Sequence, residues 1–410
     1  MEPLHPSTDV TRLPVGPRPR LANRGLVAVF GSTFLELVGV FMLSPLMLFQ
    51  LKAQEHSTLT AGLFAACGWV GVLSVMPLVS GITHRLGRQR ALWLAAALPL
   101  VAIAGFLWTD NLWAWFVLEW LAGMAGGLRW VLAEAAVAEF SPTGQRGRYV
   151  GLFETMVGAT FVAGPMLLAW VGTEGQTAMW WVAGLTASAL AWSLWIPPLP
   201  LPRDEAHGGH GLRGMVQALR AYPVVMVVGL VGGFFESGMS SLLPLYGLAL
   251  NLPPTHAALL VSASGLGSSL WMLPAGLLAD RMAHHPRQRW GSVGEARRTL
   301  MKVLAWSTLL TSLVVVWVVP YPWLAWPVVF VWGGAGGCLY TLAMIDIGDR
   351  EQGLALVHNT AVLVMSYTVG GALAPSLGSW ALQTSPSLGF PLLTALAAAL
   401  GTTALTITKR

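Results

Sequence analysis

Twelve long apolar runs dominate the chain, near residues 25–50, 59–82, 91–109, 111–139, 149–171, 177–196, 222–249, 257–279, 299–319, 322–345, 353–381 and 387–408. Each meets or approaches the roughly 20 apolar residues that a helix needs to cross a hydrocarbon core. No soluble domain could hide them. Only 10% of the 410 residues are charged against 55% hydrophobic, and the mean hydropathy is +0.64, too few charges to solvate a globular surface. The runs therefore predict an all-α polytopic membrane protein of twelve transmembrane helices, with the lipid bilayer as its first partner. Gly and Pro within several runs are ordinary in bundled membrane helices. Residues 1–24 are polar and rich in Pro and Arg, without the apolar core and cleavage site of a signal peptide, and read as a cytoplasmic tail.

The basic residues orient the runs. With the N-terminus inside, 21 of the 23 Lys and Arg fall in cytoplasmic tails or loops; Lys52 is outside and Arg129 lies within a run. That distribution follows the positive-inside rule and places both termini in the cytoplasm of a bacterial-type inner membrane. The formal charge of +5 is therefore a topology signal, and no nucleic-acid partner is expected, since the cations are spread over short loops. Cys67 and Cys338 sit in apolar runs of opposite halves, and the histidines show no ligand spacing. Neither a disulfide framework nor a metal site is expected.

A polar stretch at 197–220, with Pro197, Pro198, Pro200, Pro202, Gly208, Gly209 and Gly211, divides the chain into bundles at 25–196 and 221–408. Features of the first bundle recur about 200 residues later: Phe34-Leu35-Glu36 with Pro45 against Phe234-Phe235-Glu236 with Pro244, Gly123-xxx-Gly127 against Gly333-xxx-Gly337, and Gly164-Pro165 against Ala374-Pro375. Two six-helix bundles related by a pseudo-two-fold axis, with a solute site between them, follow from such a parallel repeat.

With these residues in view, the chain resembles the major facilitator superfamily along essentially its whole length. The family's loop between helices 2 and 3 reads roughly G-x-x-x-D-R-x-G-R-[RK]; here it is Gly81-Ile82-Thr83-His84-Arg85-Leu86-Gly87-Arg88-Gln89-Arg90, and its counterpart after helix 8 is Gly276-Leu277-Leu278-Ala279-Asp280-Arg281. The resemblance implies that the acid of this loop latches the cytoplasmic side shut, so that His84 in its place predicts a weaker or pH-sensitive first latch. Gly158 through Gly164-Pro165 is similar to the antiporter motif of helix 5 without its trailing glycines, which points to the drug:proton antiporter-like branch. Glu119 stands where the family carries a basic residue four positions before Gly123. The family is usually monomeric, and helices 1, 4, 7 and 10 line its central cavity.

Ionisable groups at mid-membrane depth cost about 2.5–3.5 kcal/mol on translocon scales, so the few present mark candidate sites. Glu36 and Glu236 occupy matching places in helices 1 and 7 and are expected to face each other across the pseudo-two-fold axis, as proton carriers or as acceptors for a cationic solute. The bland alternative hydrogen-bonds each to a hydroxyl such as Thr33, Ser240 or Ser241. Arg129, the only cation within a run, needs Glu36, Glu134 or a substrate carboxylate as partner. Glu119 could serve as gate or relay. Glu134, Glu139 and Glu154 read as interfacial partners of Arg146 and Arg148, Asp346 and Asp349 as solvated, and His358-Asn359 as a satisfied polar pair. Trp113, Trp115, Trp180, Trp181, Trp323 and Trp326 read as interface anchors, and Trp130, Tyr246 and Tyr340 as cavity aromatics. The glycine pairs Gly123/Gly127 and Gly333/Gly337, with Gly164, Pro165 and Pro375, are packing or hinge surfaces.

No phosphate-cradling G-x-x-x-x-G-K-[ST] loop is present, so a proton gradient and no cofactor is the expected energy source. No nucleophile–base constellation suggests an enzyme. The expectation is a secondary active transporter of a small organic solute by alternating access, driving proton-coupled efflux. Uptake or facilitated diffusion of an organic anion centred on Arg129, and a non-transporting receptor or a lipid flippase on the same fold, are the alternatives.

Overall fold

The computed structural model describes residues 19–56, 58–142, 144–172, 175–198, 212–252, 254–284 and 293–407; among these there is no strand. The first half comprises α1 (Pro19–Ala53), a rod of α2 (Thr58–Val75), a 3-10 turn (Met76–Leu78) and α3 (Val79–Leu86), then α4 (Arg88–Trp108), α5 (Leu112–Phe140), α6 (Arg146–Val171) and α7 (Thr177–Ser193). A short amphipathic α8 (Leu212–Ala221) lies in the stretch read as a linker. The second half comprises α9 (Pro223–Ser241) continued by α10 (Leu243–Ala249), α11 (Pro254–His284), α12 (Val293–Val318), α13 (Pro322–Arg350), α14 (Gly353–Thr384) and α15 (Gly389–Ile407).

Nine helices among the described residues are long and apolar enough to cross a membrane, and the rods of α7, of α9 with α10, and of α11 complete twelve. Where a rod breaks, the sequence gives the cause. Pro77 opens the 3-10 turn, having no N–H to donate, and Gly87 ends α3 at φ 79°, a conformation that other residues resist.

The two halves repeat one packing plan. In the first, α1 lies on α6 and α7, α5 on α2 and α4, and α4 on α7; in the second, α9 lies on α14 and α15, α13 on α11 and α12, and α12 on α15. The paired glycine motifs make equivalent contacts. A Cβ at Gly123 would lie 2.0 Å from the Gly68 carbonyl of α2, and one at Gly333 would lie 2.3 Å from the Ser264 carbonyl of α11. Each motif thus lets its helix backbone rest directly on a neighbour. Gly164 does the same for α6 on α1, where a Cβ would meet Phe41 at 2.7 Å. Pro375 lies inside α14; the side chains of Pro45, Pro165, Pro244, Ser240 and Ser241 lie outside the described residues.

The halves meet most extensively along α6 on α11, with α14 also resting on α5 and on the α2–α3 rod, and α13 on α5 and α6. The α6–α11 seam is tightest near the start of α6, where Cβ atoms at Gly147 and Gly276 would each strike the other's carbonyl, at 2.1 and 1.8 Å. It continues through Gly151 on Met272 and Gly158 on Ser269. Farther along the same two helices, Phe161 and Val162 of α6 and Leu266 of α11 are exposed.

Trp113, Trp180, Trp181, Trp323 and Trp326 are exposed at outer helix ends, as anchors would be, and Trp108, Trp170, Trp317 and Trp380 join them. Trp115 is a correction: it is buried against Phe64 and Phe106, and its Nε1–H donates to the Thr109 carbonyl at 2.5 Å. An indole with an internal acceptor and two aromatic neighbours packs inward although its position along the helix is interfacial.

Candidate functional site

Arg129 of α5 and Glu36 of α1 form a buried ion pair through Arg129 Nε and a Glu36 carboxylate oxygen, with side-chain exposures of 4% each. The cation inside the membrane thus has its counter-ion on the neighbouring cavity helix. Arg129 Nη1 and the Thr33 hydroxyl, one turn before Glu36 on the same face of α1, are buried without a hydrogen-bond partner. Thr33 therefore does not hold Glu36. Nor does Glu236 face Glu36, as the symmetry of the sequence had suggested: Glu236 hydrogen-bonds the Tyr367 hydroxyl of α14.

Glu236 belongs to a second constellation that the sequence reading dispersed. Glu134 of α5 accepts hydrogen bonds from the Tyr340 hydroxyl of α13, at 2.8 and 2.6 Å to its two oxygens, and from Trp130 Nε1–H at 2.5 Å. It also shares a hydrogen bond with Glu154 of α6, and Glu154 lies within electrostatic reach of Glu236. One oxygen of Glu154 is buried without a partner. Three aromatic rings close round the acids, with centroids 4.8 Å apart for Tyr340 and Tyr367, 5.5 Å for Trp130 and Tyr367, and 6.3 Å for Trp130 and Tyr340.

Local sequence makes this convergence possible. Gly232 and Gly233 of α9 face the backbones of Tyr340 and Tyr367, where a Cβ would come within 3.2 Å of the Tyr340 nitrogen and 2.0 Å of the Tyr367 carbonyl. On α5, Trp130 and Glu134 stand one turn apart on one face. The cluster draws residues from both halves: α5 and α6 from the first, α9, α13 and α14 from the second. At 1.5 Å per residue, Glu134 lies about 9 Å from the C-terminal end of α5, so the cluster sits toward that end of the helix. The donors that the acids meet among the described residues are neutral, a tryptophan and two tyrosines.

Near the start of α6, further polar contacts tie the halves together. Gln145, the N-cap residue of α6, makes no side-chain cap, and Asp280 of α11 serves instead: its two oxygens accept from the N–H groups of Gly147 and Arg148, at 2.9 and 2.8 Å. A carboxylate there also meets the positive end of the helix dipole. Asp349 of α13 binds Arg146 of α6 at 2.9 Å and also pairs with Arg297 of α12. Asp346 is buried and bonds Arg350 at 2.9 Å. Of the first motif loop, Arg88 is buried in an ion pair with Glu139, whereas His84 and Arg85 are exposed at the end of α3; Arg281 is exposed after Asp280.

Several expectations are corrected here. Glu134 and Glu154 are not interfacial partners of Arg146 and Arg148 but members of the buried cluster, and Glu139 pairs with Arg88. Asp346 and Asp349 are paired, not merely solvated. Tyr246 lies outside the cluster, buried against Phe390 with its hydroxyl donating to the Ser387 carbonyl at 3.0 Å. His358 Nε2 is buried without a partner, so the pair with Asn359 is not satisfied. Glu119 lies against Gly68 of α2, apart from Glu36. The sequence reading missed Glu134, Glu154 and Tyr367. One signal was available: no Lys or Arg stands three or four residues from Glu134 or Glu154 on either side, so neither had a cation on its own helix face.

Comparison with known proteins places this architecture. The model of the Major Facilitator Superfamily matches residues 29–375. The MFS-type transporter YfkF of Bacillus subtilis (strain 168) is 23% identical over 350 residues, covering 84% of this chain and 85% of its own length. YcaD, an MFS-type transporter of Escherichia coli O6:K15:H31, is 26% identical over 365 residues, covering 88% and 90%. Among solved structures, the fucose:proton symporter FucP of E. coli superposes with a TM-score of 0.74 at 13% identity, covering 93% of this chain and 97% of its own. The human organic anion transporter MFSD10 superposes with a TM-score of 0.70 at 16% identity, covering 95% and 100%. These low identities speak for the fold, and the family is one of transporters, not enzymes. The chain belongs to the Major Facilitator Superfamily and is a secondary transporter of a solute.

Proposed function

We propose that the chain is a proton-coupled exporter of a small organic solute, working by alternating access as a monomer in a bacterial-type inner membrane, with both termini cytoplasmic and the proton gradient as its energy source. The observation that carries this reading is the cluster of Glu134, Glu154 and Glu236 between the two halves. A hydrogen bond between two carboxyl groups requires a proton on one of them. Three acids gathered among neutral donors need cations to neutralise them, and protons fit so enclosed a place. Loaded with protons, the acids accept and donate across the interface and hold the halves together. Unloaded, their like charges push α6 away from α9. Proton occupancy and the contact between halves are thereby linked, which is what coupling requires. Export as the direction is supported by the antiporter-like run from Gly158 to Gly164-Pro165 in α6.

The test is proton movement in proteoliposomes that hold a pH-sensitive dye, with cationic, neutral and anionic solutes added in turn. Wild type is compared with Glu154→Gln, Glu236→Gln and Glu36→Gln. The reading expects a solute that triggers proton flux in wild type and not in Glu154→Gln. Solute movement without proton flux, equal in all four proteins, would sink it.

A further inference from the structure

The Glu36–Arg129 pair leaves donors over. A guanidinium presents five N–H groups in a planar fork, suited to grip a carboxylate edge-on through two parallel bonds. Here Arg129 Nε pairs with a Glu36 carboxylate oxygen, and Nη1 is buried with no hydrogen-bond partner. Three residues before Glu36 on α1, the Thr33 hydroxyl is also buried and without a hydrogen-bond partner. Arg129 itself is 3% exposed. A buried cationic donor without an acceptor is costly, more so than a neutral one. A cation with a donor to spare, a hydroxyl and one counter-ion form a donor set that suits an oxyanion.

The place suits a solute as well. Arg129 precedes Trp130 on α5, and Trp130 donates to Glu134 of the acid cluster, so one helix carries groups of both sites. We propose that Arg129 Nη1 and the Thr33 hydroxyl bind an oxyanion group of the transported solute, a carboxylate or sulfonate, and that Glu36 is the stand-in counter-ion when no solute is bound. This rests on the transport reading given above and names the solute's recognised group.

The experiment uses the purified full-length protein in detergent, with benzoate and benzenesulfonate as probes and benzamide as the neutral control. Affinity is measured by calorimetry and by thermal stabilisation. Both anions bind wild type and benzamide does not. Arg129→Lys, which keeps the charge but loses the fork, weakens the anions by about tenfold or more. Thr33→Val weakens them several-fold. Glu36→Gln tightens them, because the competing carboxylate is gone; a mere staple predicts no such gain. Should Arg129→Lys fail to fold, Thr33→Val and Glu36→Gln decide alone. The inference is overturned if anions and benzamide behave alike, or if Glu36→Gln binds anions no more tightly than wild type. The same preparations in proteoliposomes separate this from the coupling proposal. Anion binding of the expected pattern without solute-driven proton flux removes the coupling and leaves the site. Proton flux with anion binding indifferent to Arg129 removes the site and leaves the coupling.

Discussion

Glu36 and Arg129 are each tolerated in the membrane because of the other. Changing Arg129 to Gln leaves a buried carboxylate alone, at a cost of about 3–5 kcal/mol. The double change Glu36→Gln with Arg129→Gln should recover most of that loss, a difference readable in melting temperatures of the detergent-solubilised protein. Tyr340→Phe removes the hydroxyl that bridges to Glu134 from the other half and costs about 1–3 kcal/mol. In thermal melts it should be the less stable protein while still binding solute. At this scale the sequence was a partial guide. The cost of a charge in lipid singled out Glu36, Arg129 and Glu236, but which acids meet depends on helix rotation. Glu134 and Glu154 approach the ends of their runs in sequence, and only the packing of five helices reveals that those ends turn inward.

The elements that matter most are the two helix ends closed by partners from the other half. Asp280 caps α6 in place of its own N-cap residue. Asp280→Ala should weaken the closed state by about 1 kcal/mol, seen as more frequent opening in spin-label distances between the cytoplasmic ends of α6 and α11, with little change in global melting. Gly276→Val strikes the Gly147 carbonyl directly and should hold that end apart, shifting the same distance distribution outright. The rods themselves were legible in length, hydropathy and glycine spacing. The matched pairs Gly123/Gly127 and Gly333/Gly337 identified equivalent helix contacts because close packing demands small residues whatever the surrounding sequence. The break between α9 and α10 and the helix in the linker were not foreseen, since both depend on local backbone balance inside apolar or polar stretches that look uniform.

For the whole molecule, the halves are tied together by Arg146–Asp349–Arg297, the Asp280 cap and the acid–aromatic cluster. Asp349→Asn unties both arginines, and high salt should mimic it in part, because Asp349 and Arg146 are the more exposed members. Labelling of a cysteine introduced at Ser269 by an impermeant reagent from the cytoplasmic side is the readout, and it should accelerate in the variant. The two-bundle plan was visible in the repeats and in the distribution of Lys and Arg. The conformation was not, because one sequence specifies both ends of a transport cycle. The backbone-to-backbone meeting of Gly147 and Gly276 has no counterpart at Gly81 on the other seam, where a Cβ would meet nothing within 4 Å. Bulk is therefore barred where α6 crosses α11 and tolerated on α3, so one edge of the molecule is written in glycine and the other is free to vary.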